Sequence, residues 1–430
     1  MTARKATGKK AARKKSPGKK ATRKTTARQA TTKKPARKKA ATKAATKRRT
    51  IKTASKKPPG KATRKRQRRS AQDVGKQLSE LGRDTVEQIQ AGINPTVQIP
   101  VRSLSNVTFD PKKSIIELGD QQQARALFNA GQARKFMQTF LVASACKDLL
   151  EVNKTTSIRD LYYITKHTIA KTRQNTFEDQ EESDPIIEDI EVTVDALREE
   201  MNLFASNRGS MVGEMTLVDS GDTIDLRRMG SGGWSIPSIV ESNVIQFKKC
   251  DAKMILLVEK DAVWRRLNED KFWKKHKAIL MHGNGMAPRG VRRLCHRMVH
   301  ELKLPLYVLV DNDPWGFYIY SVVKQGSINL AYESQRMAVP KARFLGLSSF
   351  DADRFTLPSN VSIKLDEVDV KRAKQMMAYA WFDRREWQRE MKKMLKEGVK
   401  FELEALSAKG ISFISEEYLP RKIRNREFLI

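Results

Sequence analysis

Two apolar stretches of this sequence end in carboxylates. "KMILLVEK" (253–260) delivers Glu259, and "LPLYVLVDNDPWG" (304–316) delivers Asp311 and Asp313, followed by Pro314 and Gly316. A carboxylate at the end of a buried strand loses hydration, a cost recovered only if positive charge sits beside it. Three oxygen ligands without His or Cys suit a hard cation such as magnesium, which keeps several waters and contacts phosphate oxygens. Taken singly, Glu259 reads as a cap for the helix after it and Asp311 as a turn former. Taken together, acids at two strand ends point to a metal.

The elements that would carry these acids alternate in type. After Ile236 the strand "KMILLVEK", the helical "DAVWRRLNEDKFWKKH", the strand "KAILMHGNG", a helix from Val291 to Leu302 and the strand "LPLYVLVDND" follow one another. That alternation predicts a parallel α/β sheet, whose strands place ligands at their carboxyl ends. Upstream, 71–95 reads as a helical or linker entry and "IPVRSLSNVTFDPKKSIIELG" as a short hairpin. The pattern from Asp120 to about Val152 predicts a helix, and "TTSIRDLYYITKHTIAKTRQ" a second, opened by Ser157 and Asp160 at capping-box spacing. "TFEDQEESDP" reads as an acidic linker before the amphipathic "IIEDIEVTVDALREEMNLFAS". The segment "GSMVGEMTLVDSGDTIDLRRMGSGGW" reads as short strands with tight turns. Helices followed by a small hairpin suggest a winged-helix-type DNA-binding domain. The expected fold class is α/β plus α+β, in four parts: a tail (1–70), an entry segment (71–135), a winged-helix-type domain (136–235) and the sheet domain with its C-terminal extension (236–430).

The charge is concentrated at one end. Of 84 Lys and Arg residues, 30 lie in 1–70 with no Asp or Glu, leaving 54 against 49 acids, or +5, in the remaining 360 residues. An arm of Lys, Arg, Ala, Thr and Pro has almost nothing to bury, so disorder is expected. Polycations bind nucleic acid through counterion release with little sequence preference, and the arm's clusters resemble histone-type tails. A solvated charge run or a nuclear targeting signal is the alternative reading. No aromatic or apolar residues interrupt the charges to anchor the arm on a membrane, no apolar run reaches spanning length, and no signal-peptide apolar region is present. A soluble, intracellular, chromosome-associated protein is expected, nuclear if the cell has a nucleus.

Cys146, Cys250 and Cys295 form no paired motif and read as reduced thiols. In "CHRMVHE", His296 and His300 have helical spacing that could bind zinc, yet "VRRLCHRMVHEL" has the apolar period of a helix covering a sheet, so a structural or solvent-facing role is expected. "GSGGW" (230–234) lacks the lysine and spacing of a phosphate loop.

The combination becomes specific in its motifs. "VEKD" (258–261) followed by "DNDPWG" (311–316) resembles the Toprim domain of topoisomerases and primases. "RDLYYITK" (159–166), "SIPSIVE" (235–241), "KQGSINLAYESQRMAVPKARFLGL" (324–347) and "KFELEALSAKGISFISEEYLPRKI" (400–423) stand around it in the order of the topoisomerase VI A-subunit family, whose relatives include the meiotic double-strand-break transesterase. The resemblance spans roughly 96–430. It implies a Mg2+-dependent transesterification in which a tyrosine attacks a DNA phosphodiester and stays attached to the broken end. By position in "RDLYY" that tyrosine is similar to Tyr163. Helix geometry points the same way, because Arg159 precedes Tyr163 by four residues on one face while Tyr162 points about 100° away. A guanidinium there can hold a phosphate or favour phenolate, help that a tyrosine of ordinary pKa near 10 needs. Without the family, a Tyr-Tyr pair on an amphipathic helix reads as core packing.

The resemblance further implies metal ligation by Glu259, Asp311 and Asp313, a homodimer in which one protomer's tyrosine faces the other's metal site, and a B subunit that binds ATP, giving an A2B2 assembly on double-stranded DNA. One loop departs from the family pattern: "GNGMAPRG" (283–290) has Ala287 where a proline falls and Pro288 in place of an acid, although Arg292 and Arg293 match. A break-forming transesterase without strand passage, and a non-catalytic histone-like compactor of DNA, are the alternatives.

Overall fold

The computed structural model describes residues 71–430, and the basic arm lies outside the described residues. The chain opens with α1 (Ala71–Gln90), whose Val74 and Leu78 bury against a helical core. Next come β1 (Thr96–Pro100), the hairpin β2 (Val107–Asp110) and β3 (Ile115–Leu118), and β4 (Gln122–Ala126), which pairs antiparallel with β1. The helix α2 (Ala133–Glu151) therefore starts well after Asp120, where a helix was expected. Pairing with β1 overrides the helical propensity of 122–126, Arg125 forms an ion pair with Asp189, and an Asn129 side-chain turn closes on Gly131.

β5 (Thr156–Ser157) leads into α3 (Ile158–Thr165). Ser157 Oγ accepts the Asp160 amide at 3.0 Å, the cap expected from sequence, but the helix ends at Lys166. The chain then turns back through a bridge between Thr168 and Asn175, with Lys171 in the left-handed region. The acidic stretch is no linker. Asp179 caps α4 (Gln180–Thr193), and Glu181 and Glu182 occupy its first turn, where the helix dipole favours negative charge. α2, α3 and α4 bury Val142, Cys146, Leu161, Tyr162, Ile187 and Ile190 together, and β6 (Leu203–Phe204) closes this helical lobe by pairing with β5.

The strands expected as a wing do not join that core. β8 (Met215–Asp219) and β9 (Asp222–Asp225) form a hairpin in a separate antiparallel sheet with β11 (Ile245–Cys250). The flanking strands β7 (Ser210–Gly213) and β10 (Trp234–Ser235) instead extend the large sheet, which thus begins before residue 236. Met211 and Val212 are both fully buried, on opposite sheet faces, which a half-solvated wing would not bury.

The large sheet has the order β10-β7-β13-β12-β14-β15 and a parallel centre. β12 (Met254–Val258) is followed by α5 (Asp261–Glu269) and α6 (Phe272–Lys275), β13 (Ala278–His282) by α7 (Arg289–Glu301), β14 (Leu306–Leu309) by α8 (Pro314–Gln325), and β15 (Arg343–Gly346) forms the far edge. Residues alternate between two cores. Ile255, Leu257, Ile279, Met281, Leu306 and Val308 face α7 and α8, while Leu256, Val258, Leu280 and Leu309 face α5, α6 and the segment 403–419. Each such side chain stabilises by about 1.5–3 kcal/mol relative to exposure.

One buried ionic cluster joins helical lobe to sheet. Glu191 of α4, fully buried, accepts Arg198 at 2.8 Å, Arg289 of α7 at 2.9 Å and the Tyr332 hydroxyl at 3.0 Å. Burial opposes its charge, but the two guanidiniums outweigh it and hold Glu191 below the usual carboxylate range. Among the described residues, no helix is long and apolar enough to cross a membrane.

Candidate active site

The turn after β14 is built by its own side chains. Asp313 caps α8, its Oδ1 accepting the Gly316 amide at 2.6 Å, and Pro314 occupies the first turn, where its missing N–H costs nothing. A Cβ on residue 316 would lie 2.4 Å from the Asp311 carbonyl oxygen, so only glycine lets the helix start this close. Asn312 is fully buried, donating to Leu347 O at 3.2 Å and Ser349 Oγ at 3.1 Å, while its backbone pairs with Phe401. These contacts fix the turn at the carboxyl edge of the sheet.

Glu259 does not cap α5. Its Oε2 accepts the Asp311 amide at 3.1 Å, so the acids of the two strand ends meet across adjacent strands. Asp311 Oδ1 accepts the Leu403 amide at 2.8 Å, and its Oδ2 lies 3.0 Å from Lys260 Nζ. Burial, followed by the neighbouring Asp311 charge, pushes Glu259 up to about 7. Burial likewise lifts Asp311 to about 6 against the Leu403 amide and Lys260, and raises Asp313 against its own cap bond. Among the described residues no three carboxylate, imidazole or thiol groups are gathered into a ready metal cage. The donor set nonetheless suits magnesium: it is all hard oxygen, each acid keeps an oxygen beyond its amide bond, and a divalent cation relieves the burial and repulsion that disfavour their charges.

The tyrosine pair divides as helix geometry requires. Tyr162 is buried in the helical core, its hydroxyl donating to Glu178 O at 2.9 Å and accepting Lys166 Nζ at 2.6 Å. Tyr163 is 60% exposed and touches Tyr162 edge to face, with ring centroids 5.0 Å apart. Arg159 is also exposed, one turn before it, and lines a 480 Å³ cleft between the helical lobe and the sheet that also holds Arg198, Arg208 and Arg289. Among the described residues, no hydrogen bond, ion pair or ring contact joins α3 to the ends of β12 and β14. Tyr162→Phe is expected to cost about 2 kcal/mol, for the two hydrogen bonds of its hydroxyl, in a denaturant titration while leaving Tyr163 in place.

The histidine pair serves structure. His296 Nδ1 lies 2.8 Å from Ala338 O, the two rings stack at 4.1 Å, and burial drives His296 down to about 4. Cys295 and Cys146 are buried thiols pushed up to about 12. The divergent loop 283–288 still docks on the acid edge, because the Gly285 amide donates to Glu259 O at 2.9 Å and buried Arg292 donates to Ala287 O at 3.1 Å. Sequence reasoning missed Lys260, Glu402 and Glu404. Lys260 Nζ lies 3.3 Å from Glu402 and 2.9 Å from Glu404 as well as touching Asp311. The adjacency of Lys260 to Glu259 was the available signal; the two glutamates, 142 and 144 residues further on, gave none.

A Toprim-type sheet with acids at its carboxyl edge, beside a helical lobe presenting an exposed tyrosine, defines the class of type IIB DNA topoisomerases. Residues 134–203 match the family described as type IIB DNA topoisomerase, 207–251 the all-beta domain of the DNA topoisomerase VI alpha chain, and 254–423 the Toprim domain that the topoisomerase 6 A subunit shares with Spo11. The chain is 43% identical over 368 residues to the type 2 DNA topoisomerase 6 A subunit of Pyrococcus abyssi, covering 83% of this chain and 96% of that protein. It is 40% identical over 382 residues to that of Aeropyrum pernix (84% and 96%), and 34% over 347 residues to that of Methanothermobacter thermautotrophicus (80% and 96%). The chain belongs to the type 2 DNA topoisomerase 6 A-subunit family, and is the A subunit of a type IIB DNA topoisomerase.

Proposed function

We propose that Tyr163 is the nucleophile that cuts DNA and that Glu259, Asp311 and Asp313 hold magnesium. The observation that carries this reading is the split of the tyrosine pair: Tyr162 is locked in the core, whereas Tyr163 stands exposed on the face of Arg159. The Tyr163 oxygen forms a bond to the DNA phosphorus as the bond from phosphorus to a deoxyribose oxygen breaks. The phenolic proton is lost, the deoxyribose oxygen gains one, and the reverse step reseals the strand. Arg159 holds the phosphate and offsets phenolate charge. Bound magnesium supplies charge neutralisation at the phosphate oxygens. The three acids position it, and the turn held by Asn312 and Gly316 keeps them at the sheet edge.

The tyrosine and the acids belong to separate cores, which supports a homodimer in which one chain's Tyr163 meets its partner's acids. Two such sites make a double-strand break. DNA is the substrate, with the helical lobe as a platform for it. An ATP-binding B subunit in an A2B2 assembly couples the break to strand passage. The basic arm would tether the enzyme to chromosomal DNA, though it lies outside the described residues.

The test combines the chain with its B subunit, supercoiled plasmid, Mg2+ and ATP. Relaxed plasmid, with protein-linked linear DNA after denaturant trapping, is expected. Linear DNA without relaxation would favour a dedicated break-maker, and plasmid that is only shifted or compacted would favour a DNA compactor.

A further inference from the structure

Lys260 sits where a metal ion would meet Asp311. Its ammonium lies 3.0 Å from Asp311 Oδ2, 2.9 Å from Glu404 and 3.3 Å from Glu402, and its side chain is 24% exposed. The two glutamates are not loose neighbours. They flank Leu403, whose amide binds Asp311, and follow Phe401, whose backbone pairs with Asn312. The segment 401–404 is thereby stitched to the acid edge and holds both carboxylates at a fixed distance from it.

We propose that Lys260 is an internal cation that occupies Asp311 in the metal-free protein, and that Glu402 and Glu404 form the berth to which it withdraws when a divalent ion takes Asp311. This rests on the acid edge being the metal site. An ammonium and a divalent cation repel each other strongly at ion-pair distance, so the two cannot share one carboxylate oxygen without loss. Lysine's flexible four-carbon stem lets the charge move while its backbone stays. Withdrawal gives up one of three ion pairs, because the other two are already formed. Lys260 is thus a positioning residue that sets the threshold for metal, and the glutamates keep that threshold low.

The experiment measures Mn2+ binding to the full 430-residue chain by electron paramagnetic resonance. Lys260→Met is expected to bind Mn2+ about ten-fold tighter than the native chain, Lys260→Gln likewise, and Lys260→Arg within about two-fold of native. The pair Glu402→Gln, Glu404→Gln is expected to weaken native binding about five-fold yet to change Lys260→Met by less than about two-fold, because exposed carboxylates acting directly on the metal are screened. Unchanged or weaker binding in both neutral Lys260 variants would overturn the proposal, as would equal weakening by the glutamate pair in both backgrounds. Asp311→Asn separates the levels. If it leaves Mn2+ binding intact, the metal-site reading itself fails; if it abolishes binding while the Lys260 variants do not tighten it, only this inference fails.

Discussion

Tyr163→Phe is expected to abolish covalent attachment to DNA, lowering trapped adduct by about a thousand-fold or more, because no other group replaces a missing nucleophilic oxygen. The fold should be untouched. The side chain is 60% exposed, its hydroxyl makes no hydrogen bond among the described residues, and the edge-to-face contact with Tyr162 survives in phenylalanine. A change below about 0.5 kcal/mol in stability is expected, as for other exposed substitutions. Loss of adduct with unchanged unfolding therefore assigns chemistry to the hydroxyl. Tyr162→Phe is the mirror case, losing stability and keeping adduct, and the two variants together distinguish nucleophile from core.

Asp311→Asn is expected to reduce cleavage about a hundred- to a thousand-fold, the range for losing one electrostatic stabiliser at a reacting centre. The substitution keeps an oxygen to accept the Leu403 amide and takes the charge away from Lys260, so the turn should hold while the donor set weakens. Chelating the divalent ion from the native enzyme should produce a loss at least as large, reversed by added Mg2+. Plasmid cleavage at saturating partner and ATP reads both effects. Native-level cleavage by Asp311→Asn, or by the chelated enzyme, would remove the acids from the chemistry.

The parts legible in the sequence were those whose local chemistry agrees with their tertiary setting. "KMILLVEK" and "LPLYVLVDND" read as buried strands ending in acids because every residue of a doubly covered parallel strand is apolar until the strand ends. Ser157 and Asp160 announced α3, since a cap is a contact between residues three apart. Misreadings arose where distant partners decide. Residues 122–126 are composed like a helix but pair with β1, and "GSMVG" gives no sign that it will lie beside β13 about 68 residues later. The acidic "TFEDQEESDP" was misread because cap and first-turn acids look like a solvated linker until the helix behind them is placed. At the site, Glu259, Asp311 and Asp313 could be predicted from strand ends. Lys260 was visible but not interpretable, because its meaning depends on Glu402 and Glu404, which come back to the edge through the Asn312–Phe401 pairing and the Leu403 bond to Asp311.

The most direct measurement identifies the atom that holds the DNA. Adduct trapped by denaturant is digested with nuclease and trypsin, and the peptide Asp160–Lys166, which carries both tyrosines between two cleavage sites, is fragmented in the mass spectrometer. The account predicts a nucleotide remnant on Tyr163 and none on Tyr162. A remnant on Tyr162, or on a residue outside this peptide, would contradict it.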